Sequence, residues 1–76
     1  MKKRLSDLAF GETGIIHRID LPEHELNRLG VRLKKSIRMI THQPIKGPVV
    51  IVIDGMEVAM GLSTAEQIVI DLEYEE

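Results

Sequence analysis

Gly47-Pro48-Val49-Val50-Ile51-Val52-Ile53-Asp54-Gly55-Met56-Glu57-Val58-Ala59-Met60-Gly61 is the stretch that decides the fold. Two apolar runs rich in β-branched residues meet at Asp54-Gly55. A two-residue type I′ turn needs positive φ at both central positions, and Asp-Gly between such runs is among the strongest short-range hairpin signals. The turn sets a register: Ile53 faces Met56, Ile51 faces Val58, and Val49 faces Met60. One face of the ribbon is then wholly apolar, while the other carries Val50, Val52, Glu57 and Ala59. A ribbon this apolar needs a small core around it, which predicts a compact, mostly β module.

Outward from the hairpin, Ser36–His42 reads as a preceding strand, joined to it by a loop with Pro44, Gly47 and Pro48. Thr13–Asp20 reads as the first strand, with Gly14 marking a bulge or a close backbone approach. Its Ile15, Ile16 and Ile19 do not alternate, so its register is open. Between these strands, Pro22 suits a first helical position and Gly30 a C-terminal stop. Residues 22–29 are therefore expected to form a two-turn helix, docked through Leu26 and Leu29. Arg4–Phe10 is expected to form a short helical turn, capped by Ser6 and ended by Gly11. Ser63-Thr64-Ala65-Glu66 has the form of a capping box ahead of one helical turn, and Ile68–Leu72 reads as the last strand. Five short strands, one short helix and one capped helical turn predict a small, partly open barrel over residues 1–76.

The 76-residue chain has no cysteine, so neither a disulfide nor a thiolate metal site reinforces this core. The longest apolar run, Val49–Ile53, falls far short of the roughly 20 residues that span a bilayer. A soluble, cytoplasmic protein without direct membrane insertion is expected. Net charge is −2, unevenly placed. No acid lies between Leu26 and Ile53, a stretch that holds Arg28, Arg32, Lys34, Lys35, Arg38 and Lys46. Such a stretch reads either as a solvated face or as a basic patch that meets an acidic partner.

The order of these elements resembles the FeoA family, the small cytosolic accessory proteins of bacterial ferrous iron uptake. The resemblance runs from about Leu5 to Leu72. It is carried by Leu5-Ser6-Asp7-Leu8 with Gly11, Arg28-Leu29-Gly30-Val31, the Pro44…Gly47-Pro48 loop, the hairpin around Gly55, and Val58-Ala59-Met60-Gly61 leading to Ala65-Glu66-Gln67-Ile68. Members usually carry a Pro-Gly pair shortly after the helix, where this chain has Leu33 and Lys34. The resemblance implies an SH3-like barrel and a partner, the cytosolic region of the membrane transporter FeoB, which includes a GTP-binding domain. A related domain ends the DtxR-type metal-dependent repressors. With no helix-turn-helix ahead of it in this sequence, such a repressor is not expected.

No residues point to catalysis. No nucleophile–base pair stands out, and no glycine-rich phosphate loop is present. His17, His24 and His42 lack the spacing of a metal site, so neither a cofactor nor a metal ligand is assigned. An arginine finger from Arg28 or Arg32 is chemically conceivable, but surface charge explains both equally well. Met39, Met56 and Met60 read as adaptable apolar filler, with Met56 a partner anchor if exposed at the hairpin tip. The partner-binding set is therefore Leu26, if partly exposed, with Arg28, Arg32, Lys34, Lys35 and Met56. Two alternatives stand beside this reading: a small-barrel nucleic-acid-binding module and a metal-ion-sensing SH3-like domain. Phe10 and Tyr74 are the only aromatics, and neither lies in the basic stretch, which disfavours nucleic acid. Oligomeric state is open, weak self-association included.

Overall fold

The computed structural model describes residues 1–22, 26–42 and 47–72. Its strands are β1 (Lys2–Arg4), β2 (Thr13–Ile19), β3 (Ser36–His42), β4 (Val49–Ile53), β5 (Met56–Met60) and β6 (Ile68–Leu72). They form one antiparallel sheet in the order β1-β6-β2-β3-β4-β5. The hairpin adopts the expected register, with Ile53 opposite Met56, Ile51 opposite Val58 and Val49 opposite Met60. Asp54 and Gly55 take φ of 52° and 77°, as a type I′ turn requires. Val49, Ile51, Ile53, Val58 and Met60 enter a core shared with Leu5, Leu8, Ile16, Val31, Ile37, Met39, Ala65, Ile68, Ile70 and Leu72. One face of each strand from β2 to β6 feeds this single cluster, so the sheet curls around it.

The open register of β2 has a physical resolution. Ile16 pairs with Ile70 and Arg18 with Val69, so the ladder shifts by one residue around His17. The bulge changes the parity of the strand. Ile16 and Ile19, three residues apart, then turn to the same side, opposite Ile70 and Ile68. Gly14 belongs to a close approach rather than to the bulge. A Cβ there would lie 2.5 Å from the Ile70 side chain and 2.7 Å from the Asp71 carbonyl oxygen.

Three expectations need correction. The sheet has six strands, not five, because Lys2–Arg4 pairs with β6. The N-terminal helical turn shrinks to a 3-10 turn at Leu5–Asp7, with Arg4 at its cap and Ser6 buried inside it. Gly11, at φ 84°, instead sits in a separate turn, where the Glu12 N–H donates to the Ala9 carbonyl. The Ser63 capping box does not form: helix Leu62–Ala65 starts from Gly61 and has no side-chain cap hydrogen bond. Leu62 packs against the core, and the helix starts two residues earlier than a Ser63 cap needs.

The turn into β3 forms without glycine. The Lys35 N–H donates to the Arg32 carbonyl at 3.3 Å, and Lys34, third in this turn, has φ 72°. That is the type II position at which glycine is usual. Two bonds to β2 hold the turn: the Lys34 N–H donates to the Ile16 carbonyl, and the Ile16 N–H to the Lys35 carbonyl. A left-handed conformation costs an ordinary L-residue about 1–2 kcal/mol. Lys34→Gly is therefore expected to raise stability by about 1 kcal/mol. Thermal unfolding followed by circular dichroism checks this, with a gain of roughly 4–8 °C expected for a domain of this size.

Candidate functional site

A groove of about 410 Å³ lies between two local structures, the segment Asn27–Gly30 and the β4–β5 hairpin. Its walls include Arg28, Leu29, Met56, Glu57 and Val58. The first wall is shaped by a helix end. The Gly30 N–H donates to the Asn27 carbonyl and the Val31 N–H to the Leu26 carbonyl, with Gly30 at φ 79°. These two bonds and the left-handed glycine make a Schellman motif. The motif folds Val31 back over Leu26, and both are buried. Residues 23–25 lie outside the described residues, so the start of the expected helix is not assigned.

This geometry exchanges the roles of two leucines. Leu26 is 3% exposed and belongs to the core, whereas Leu29 is 40% exposed on the groove wall. Leu26 is thus withdrawn from the partner-binding set, since its place there required exposure. Leu29, expected to dock inward, turns out because the chain leaves the helix at the residue before Gly30. The Arg28-Leu29-Gly30 stop signal carried this information: the residue before a C′ glycine is the one that leaves the helical path.

Met56 is 63% exposed at the hairpin tip, on the opposite wall from Leu29. Arg28 stands beside them. Arg32 and Lys34 are exposed on the turn that follows. Lys35 differs: its Nζ pairs with Asp54 Oδ2 at 2.8 Å, tying that turn to the hairpin tip. Both side chains are substantially exposed, so the pair is worth about 0–1 kcal/mol. Its effect on the surface is larger, since it neutralises one of the four cations expected to face a partner. Among the described residues, no acid lies within ion-pair distance of Arg28, Arg32 or Lys34.

Reading the sequence missed an exposed aromatic outside the groove. Phe10 is 78% exposed at the tip of the Ala9–Glu12 turn. Glu12 closes this turn twice, donating its N–H to the Ala9 carbonyl and accepting the Ala9 N–H on Oε1 at 2.8 Å.

Among the described residues, no group of three or more His, Asp or Glu side chains is placed to hold a metal ion. His17 is exposed on β2. His24 lies outside the described residues, as does the side chain of His42. Among the described residues, no helix is long and apolar enough to cross a membrane. The groove combines apolar contact with one cation, Arg28, and two carboxylates, Asp54 and Glu57, a surface suited to docking.

A FeoA domain model matches residues 3–72. No curated protein sequence matches the chain. Among solved structures, an iron uptake regulatory protein (FeoA) superposes with a TM-score of 0.89 at 24% identity, over 96% of this chain and 100% of its own. The FeoA protein from Chlorobium tepidum gives a TM-score of 0.83 at 23% identity, over 97% and 74%. A manganese-dependent transcriptional repressor gives 0.86 at 22% identity, over 95% of this chain but 42% of the repressor. These likenesses show a shared fold, the small, mostly β, SH3-like domain that the resemblance implied.

Proposed function

Because the chain belongs to the FeoA family, whose domain model spans residues 3–72, we propose that it serves ferrous iron transport as a non-catalytic accessory. It docks on the cytosolic region of a FeoB-type transporter and so works in the cytoplasm. The observation that carries this reading is the groove, where exposed Leu29 and Met56 stand on facing walls beside Arg28. Two exposed apolar anchors, with Arg28 on one wall and Glu57 on the other, suit an apolar patch whose rim carries charges of both signs.

The mechanism is differential affinity. An accessory that binds one conformation of the transporter more tightly shifts the population toward it, and equal affinity for both shifts nothing. Arg28, with Arg32 and Lys34 next to it in sequence, orients the encounter, since rim charges act mainly on association rate.

Isothermal titration of the purified chain into the soluble cytosolic region of the transporter from the same genome tests this. Saturable binding is expected, weakening as salt rises. Arg28→Glu is expected to lower affinity by roughly fivefold and to flatten the salt dependence. No binding by the wild type at low salt would overturn the reading.

A further inference from the structure

The groove runs along a sheet edge, and the edge has a readable hydrogen-bond pattern. In a two-residue hairpin the residues flanking the turn exchange both backbone bonds, and pairs then alternate between bonded and non-bonded. Ile53–Met56, Ile51–Val58 and Val49–Met60 are therefore the bonded pairs of the observed register. Val52–Glu57 and Val50–Ala59 are the non-bonded ones. The N–H and C=O groups of Glu57 and Ala59 consequently point away from β4. Among the described residues β5 ends the sheet, and no other backbone group takes up these four. Glu57 and Ala59 are both exposed, and both line the groove.

The opposite edge of the sheet is guarded. β1 is only Lys2-Lys3-Arg4, short and wholly cationic, which is how proteins discourage strand addition. β5 is five residues long and has Glu57 as its one charge. The asymmetry leaves β5 as the edge fit to accept a strand.

We propose that β5 binds an extended segment of the transporter's cytosolic region by strand addition, an inference that rests on the docking reading above. The backbone of the segment pairs with Glu57 and Ala59. Its inward side chain, level with Val58, is apolar and packs between Leu29 and Met56. Its outward side chain opposite Glu57 is basic, because a like charge directly across a strand pair is unfavourable. Main-chain bonds supply affinity in this mode, and the alternate side chains supply selectivity.

The test reads two quantities against the transporter's soluble cytosolic region. The first is amide exchange of the wild-type chain by NMR, in which the Glu57 and Ala59 amides gain at least tenfold protection in the complex. The second is Ala59→Pro, which removes an outward N–H and leaves the bonds to β4 in place. This variant is expected to keep the sheet's circular dichroism spectrum and to bind at least tenfold more weakly. Wild-type binding with no new protection at these amides, and an undiminished Ala59→Pro, overturns strand addition while leaving the docking reading intact. Protection that appears at high concentration of the chain alone also overturns it, since the strand would then come from a second copy. If Ala59→Pro does not fold, the wild-type exchange decides alone. Absence of wild-type binding removes both readings.

Discussion

Gly14→Ala is expected to lower the melting temperature by roughly 15 °C, which corresponds to about 3 kcal/mol for a domain of this size. Gly14 sits in the middle of the sheet, paired with Ile37 of β3 on one side and Leu72 of β6 on the other. The added methyl would stand 2.7 Å from the Asp71 carbonyl oxygen and 2.5 Å from Ile70 Cγ2. The Ile70 side chain has little room to rotate away, being fully buried. The Asp71 oxygen is main chain, so relief requires β2 and β6 to separate. Overpacking costs about 1–3 kcal/mol where side chains yield, and more where they do not. Stability for a chain of this length is on the order of 5 kcal/mol, so such a loss removes most of it. Gly55→Ala is the matched control. Its Cβ meets nothing within 4 Å, so the cost is that of a positive φ alone, about 1 kcal/mol. Equal melting temperatures for the two variants would contradict the close approach at Gly14.

Met56→Asp is expected to weaken binding to the transporter's cytosolic region by about 30-fold, or about 2 kcal/mol, at an unchanged melting temperature. The side chain is 63% exposed in the free protein, so folding does not depend on it. In the proposed complex it would be covered together with Leu29, and a carboxylate in that apolar contact would lose its hydration. Leu26→Ala separates a surface anchor from a core residue. Leu26 is buried, so truncating it is expected to cost about 2–5 kcal/mol of stability. Any binding loss in that variant should track the unfolded fraction. A Met56→Asp protein that binds like the wild type would remove the hairpin tip from the interface.

The sequence by itself determined the hairpin, its register and the boundaries of β3, β4, β5 and β6. These follow from local rules: Asp54-Gly55 satisfies the turn dihedrals, and residues two apart share a face. It also marked Arg28, Arg32 and Lys34 as surface cations, but it placed the apolar contact beside them on Leu26, which is buried, rather than on Leu29. Tertiary structure decided the rest, wherever one element borrows its conformation from another. Lys2-Lys3-Arg4 has neither alternation nor β preference, and it becomes a strand because β6 offers a partner. Lys34 accepts φ 72° because two bonds to β2 hold its turn. Leu26 and Leu29 share a helical face in the sequence pattern, yet the Schellman bonds at Gly30 bury one and turn out the other. Lys35 reads as a free cation until Asp54, nineteen residues later, is brought to 2.8 Å. Local periodicity specifies which residues are apolar and where the chain turns. Which edges and side chains remain open to a partner depends on contacts between segments distant in the chain, and only the assembled sheet sets those.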